Sequence, residues 1–124
     1  MGTQAVSRKK FGKRIRALRE KLLKADREYS LRRFAGRVGM SPTYLSKVER
    51  GDLPPPVEQK IKTIAKELRE DPDELLALAG KVASDIPEII RQRPVMMAKL
   101  IRRMRNLEDE QVERIFRIVE DGDW

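Results

Sequence analysis

Cysteine and histidine are both absent from this 124-residue chain. Without cysteine there are no disulfides and no thiol chemistry. Without histidine the commonest general base and the commonest transition-metal ligand are missing, so most catalytic constellations are excluded. There is also no apolar run of the roughly 18 residues that a membrane-spanning helix needs. The opening Met1-Gly-Thr-Gln-Ala-Val-Ser has no apolar signal core, and Met1-Gly2 fails as a myristoylation start because Val6 stands where Ser or Thr is required. The expectation is a soluble, cytoplasmic chain with no cofactor and no metal site, long enough for one modest core or a small domain with an appendage.

What is present is positive charge, and its position matters more than its net value of +8. Residues 8 to 50 hold 15 Lys or Arg against 4 Asp or Glu, residues 51 to 80 hold 4 against 7, and residues 81 to 124 hold 9 against 9. A basic surface concentrated in this way favours phosphate backbones through counterion release and steers association. A lysine-rich face that is merely solvated is the plainer explanation, but here the charge coincides with a motif.

That motif runs from Ser30 to Gly51. Phe34, Ala35 and Val38 share one face of a first short helix, and Leu45 and Val48 share one face of a second. Gly39 falls between them, where a left-handed conformation turns the chain sharply, and Met40 follows as an apolar plug under the corner. Ala35 is small where the two helices must cross. Ser41 supplies an N-cap hydroxyl and Pro42 sits at the first helical position, where a missing N–H costs nothing. The residues alone specify a helical hairpin in basic surroundings, and a purely structural corner would read the same way.

The pattern Phe34, Ala35, Val38, Gly39, Met40, Leu45 and Val48, with the ending Tyr44-Leu-Ser-Lys-Val-Glu-Arg-Gly51, resembles the helix-turn-helix of the lambda-repressor and Cro (XRE) family. That resemblance implies an all-α fold, in which a five-helix lambda-repressor-like DNA-binding domain over residues 1–80 precedes a short three-helix region over 81–124.

The other helices are legible from their apolar spacing. Phe11, Ile15, Leu18 and Leu22 make the stripe of helix one, preceded by a basic arm, Ser7-Arg-Lys-Lys10. Residues 24–29 exceed the turn usual at this point in the family, so either helix one is extended or its exit loop is enlarged. The consecutive prolines of Gly51-Asp-Leu-Pro-Pro-Pro56 require an extended loop and read as a stiff connection rather than a partner motif. Asp52 stands there where the family often carries a basic residue. Val57, Ile61, Ile64, Ala65 and Leu68 form the stripe of helix four. Asp71, Pro72 and a capping-box Glu74 open helix five, which Gly80 closes. Capping accounts for the acidic cluster at Glu70, Asp71, Asp73 and Glu74 better than a metal site does.

Beyond Gly80 three short amphipathic helices are expected. One carries Ile86, Ile89 and Ile90. A second, started by Pro94, carries Met97, Leu100, Ile101 and Met104. A third carries Val112, Ile115, Phe116 and Val119, before a polar end at Asp121-Gly-Asp-Trp124. Their apolar surface exceeds the core they can build, so the two-helix stripes of Met97, Leu100, Ile101, Met104, Val112, Ile115, Phe116 and Val119 are expected to form a homodimer interface, with packing onto the first five helices as the rival.

Carried over position by position, the resemblance implies a sequence-specific transcriptional regulator, a dimeric repressor and not an enzyme, that reads an operator in double-stranded DNA with helix 42–50 in the major groove. Base reading falls on Pro42, Thr43, Ser46 and Lys47. Pro42 can offer only apolar contact, whereas Thr43 and Lys47 can hydrogen-bond. Ser30 and Arg32, at the start of the first motif helix, are placed for a phosphate, with Tyr44 and Arg50 as further phosphate contacts. The family's buried ion pair maps to Arg19 and Glu49. The stretch Leu78-Ala-Gly-Lys81 with Ile89-Ile-Arg-Gln-Arg-Pro94 and the short helical tail also resembles DdrO-type repressors, which would imply a regulatory peptidase cutting near Met104-Arg105, between the last two helices. An antitoxin with a toxin partner, a restriction-modification controller, a nonspecific architectural protein and a metal-dependent nuclease are the alternatives.

Overall fold

Local sequence signals start and stop most of the helices in a computed structural model that describes residues 2–122. The chain start at Met1 and the Asp123-Trp124 end lie outside the described residues. Eight α-helices follow one another with no strand among the described residues: α1 (Gly2–Leu23), α2 (Leu31–Arg37), α3 (Pro42–Glu49), α4 (Glu58–Leu68), α5 (Pro72–Leu78), α6 (Asp85–Gln92), α7 (Pro94–Met104) and α8 (Asp109–Asp121). The chain divides into two compact units, one up to Ala83 and one from Ser84. The first continues past Gly80 because Ala83 is itself buried in the core.

In the first unit, Phe11 and Ile15 of α1 pack with Phe34, Ala35 and Val38, with Leu45 and Val48, with Ile61, Ile64, Ala65 and Leu68, and with Leu75 and Leu76. Leu18 and Leu22 are half-buried at its edge. The basic segment Ser7–Lys10 is not a separate arm but lies within α1. No proline interrupts α1, and Gly12 is the poorest helix former in its interior. Gly12 is where α1 crosses the end of α3: a methyl group there would lie 2.3 Å from the Val48 carbonyl oxygen and 2.6 Å from that of Glu49.

The 24–29 segment is an enlarged exit loop. It forms a 3-10 turn over Arg27–Tyr29, where the Asp26 carboxylate accepts from the Glu28 N–H. The turn drives Tyr29 into the core, where its hydroxyl donates to the Glu67 carbonyl (2.9 Å) and its ring packs beside Phe34 with centroids 6.0 Å apart. Arg37 lies over the Tyr29 ring at 4.6 Å and pairs with Glu67 at 3.4 Å. Tertiary packing of one aromatic thus ties the loop to α2 and α4, which the loop's polar composition does not reveal.

Two local expectations are corrected. Val57 is the N-cap of α4 rather than part of its stripe, and it is 69% exposed; the proline path ahead of it holds it outside the helix. At α5, Asp71 caps by accepting from the Asp73 N–H (2.8 Å), but the Asp71 N–H donates to Glu70 rather than to Glu74, so the expected capping box does not form. Glu70 is held in place by Arg14 of α1 at 2.8 Å.

In the second unit α6 packs on α7, and none of the three helices has a buried residue. α8 opens with a capping box between Glu108 and Gln111 and closes at Gly122 in a left-handed conformation. Its apolar face is open, with Phe116 60% and Val119 58% exposed. Met97 and Met104 of α7 are half-buried, whereas Leu100 and Ile101 remain exposed.

Candidate nucleic-acid interface

The turn between α2 and α3 is built as its residues require. Val38 ends α2, and Gly39 adopts φ 71°, a conformation that L side chains rarely take. Met40 is buried beneath it and donates its N–H back to the Ala35 carbonyl at 2.8 Å. The Ser41 hydroxyl accepts from the Tyr44 N–H (3.0 Å), and Pro42 starts α3. Leu45, Val48 and Glu49 turn inward, which leaves Pro42, Thr43 and Lys47 exposed and Ser46 half-buried on the outer face. Arg50 is the C-cap, one residue beyond the helix.

α3 is seated from beneath by a buried ion pair. Arg19 of α1 donates to both Glu49 carboxylate oxygens, at 2.8 and 2.9 Å, and to the Tyr29 carbonyl at 3.1 Å. Both side chains are almost wholly buried, and the fork geometry satisfies the carboxylate at both oxygens. Removing either partner would leave an uncompensated buried charge, which makes the pair a positional lock more than a net source of stability.

A second clamp acts from α4. The Lys60 ammonium donates to the Val38 carbonyl at 2.5 Å and to the Gly39 carbonyl at 3.3 Å, placing a cation on the C-terminal carbonyls of α2 at the turn itself. Sequence reasoning did not find Lys60, because the contact joins residues 22 apart and carries no local spacing signal.

The outward side chains differ in what they already touch. Those of Thr43, Lys47 and Arg32 make no hydrogen bond or ion pair among the described residues. Ser30 caps α2 by accepting from the Arg33 N–H (3.3 Å), and Arg50 pairs with Asp52 at 3.1 Å, both exposed. Tyr44 is half-buried, packed against the core. Ser46 and Arg50 share a cleft of about 260 Å³ with Arg16, Arg19, Leu31 and Glu49, opening between α1, α2 and α3. Arg16 pairs with Glu20 at 2.9 Å; that hydrogen bond holds the Glu20 carboxyl below its usual range and raises the guanidinium. Arg16 was not singled out from sequence, although it lies one turn before Arg19.

A protein-family model described as a helix-turn-helix domain matches residues 10–78. The chain belongs to the helix-turn-helix domain family. No curated protein and no solved structure matches it. The matched helix-turn-helix domain runs from within α1 to the end of α5 and is a DNA-binding module. Among the described residues, no group of three or more acidic side chains could hold a metal ion and no helix is long and apolar enough to cross a membrane.

Proposed function

We propose that the protein is a sequence-specific transcriptional repressor that acts as a homodimer, each copy laying α3 in the major groove of one operator half-site. The observation that carries this reading is the outer face of α3, where Thr43 and Lys47 stand exposed with no internal partner while the opposite face is fixed by Leu45, Val48 and the Arg19–Glu49 pair. A helix whose inner face is fixed can present its outer face to base edges with little ordering cost. Thr43 and Lys47 are the principal readers, Lys47 reaching guanine acceptors, with Pro42 and Ser46 completing the face. Arg32 takes a phosphate beside the α2 N-terminus, joined by Ser30 and Tyr44. Arg50 joins them by exchanging Asp52 for the phosphate.

Residues 81–124 join the two copies through the open apolar faces of α7 and α8, which also gives the two recognition helices a fixed separation. Selection of bound sequences from a random DNA pool tests the reading. The expected result is a two-fold symmetric consensus whose half-sites change with substitutions at Thr43 or Lys47. A pool with no enriched sequence would overturn it in favour of nonspecific binding.

A further inference from the structure

The neutral charge of the C-terminal region conceals two helices of opposite sign. α7 carries Lys99, Arg102 and Arg103 and no acidic residue, whereas α8 carries five acidic residues and two arginines. On α7, Lys99 and Arg103 stand one turn apart beside exposed Leu100. On α8, Asp109, Glu113 and Glu120 line one flank of the stripe that carries exposed Phe116. Like charges one helical turn apart, Lys99 with Arg103 and Asp109 with Glu113, disfavour each helix on its own. Among the described residues no ion pair joins an α7 cation to any acid, and the Glu113–Arg117 contact lies within α8 itself.

Nor do the two helices cover each other within one chain. α6 packs on α7, but α8 has no comparable packing on either, and every residue from Glu108 to Gly122 is exposed. At about 1.5 Å per residue the two helices are also of similar length, roughly 16 and 20 Å.

We propose that the homodimer forms by reciprocal pairing of unlike helices, α7 of each copy against α8 of the other. This rests on the dimer reading above and specifies its contact. Pairing α8 with its own copy would set acid against acid, and pairing α7 with α7 would set cation against cation. The crossed arrangement places each apolar stripe on another and each charged flank on its opposite, and a two-fold axis makes the contact twice.

Two full-length charge-reversed proteins test it: Lys99→Glu/Arg103→Glu, which makes α7 acidic, and Glu113→Lys/Glu120→Lys, which makes α8 basic. The first-turn acids of α8 are kept, so its favourable helix start is not disturbed. By sedimentation, each variant alone should dissociate about tenfold or more readily than the wild type. An equimolar mixture should return to within about threefold of wild-type affinity, because in the mixed dimer both crossed contacts again join opposite charges. Native mass spectrometry should then show the heterodimer as the dominant species.

Reversed variants that stay as tight as wild type would overturn the crossed pairing but leave the dimer standing. Variants that the mixture fails to rescue would also overturn it, placing the charges within one chain. A reversed α7 that remains dimeric but loses DNA affinity would reassign its cations to nucleic acid and overturn it as well. A monomeric wild type would remove the dimer reading itself. Should either variant lose helicity by circular dichroism, the wild type alone remains decisive: its dimer should weaken as salt rises, and a salt-independent dissociation constant overturns the proposal.

Discussion

The unit up to Ala83 closes its apolar residues around Phe11, Phe34 and Ile64, all essentially inaccessible, whereas the unit from Ser84 has amphipathic helices of similar length and buries none of them. Hydrophobic periodicity is equally clear in both. The difference lies in how many stripes converge. Five helices with stripes pointing to one centre enclose a core, but α6 and α7 cover only part of each other and α8 is left open. Periodicity therefore predicts the existence of helices in either unit, while burial depends on how many faces the chain can bring together, which favours a second copy as the missing wall of the C-terminal unit.

The sharpest way to break the contrast is to remove support from the closed unit alone. Glu49→Ala leaves Arg19 buried with only the Tyr29 carbonyl, and should lower the stability of the first unit by about 3–5 kcal/mol in denaturant titration. Self-association through the C-terminal helices should be unchanged, and a loss of both would show that the two units are coupled.

Removing the open unit's last helix tests the other side. Truncation after Leu107 should leave the first unit folded with an unaltered melting transition, yet yield a monomer that binds a full operator on the order of 10² more weakly, because the linked half-sites lose their effective concentration. Sedimentation and binding isotherms on the same preparation check both halves of this expectation.

Within the closed unit, the two faces of α3 should respond differently. Lys47→Ala should cost about 1–3 kcal/mol of operator binding and relax base preference at one position in each half-site, with no change in stability. Selected-site profiles of the two proteins decide it; uniform weakening with an unchanged profile would make Lys47 a backbone contact. The smallest effect is expected from Arg32→Ala, which should reduce the slope of log affinity against log salt by about one unit while the base preference stays the same.

Much of this organisation was legible in the sequence because it is written in local signals. The Ser41-Pro42 start of α3, the left-handed Gly39 and the Asp71-Pro72 start of α5 each depend on residues within one helical turn, and the structure has all three. The misses are long-range. Lys60 reaches the turn from α4, and Tyr29 is buried by partners on α1, α2 and α4, so no spacing rule announces either. Val57 fits a 3.6-residue period but falls one residue before the helix begins, because periodicity does not record where the proline path releases the chain. At the candidate interface, Thr43 and Lys47 could be placed on an outer face from sequence, but the occupation of Ser30 by a cap and of Arg50 by Asp52 could not.

The missing side chain at Gly12 gives the fold a division of labour. Because a single methyl group there would collide with the last carbonyls of α3, the tilt of that helix is set by a backbone-to-backbone contact on its hidden side, well away from positions 42, 43, 46 and 47. On the reading proposed above, seat and script are therefore separable: the four outer positions could be rewritten to address other operators without re-machining the mount. A wedge at position 12 would do the reverse, keeping every letter of the readout and misaiming all of them together.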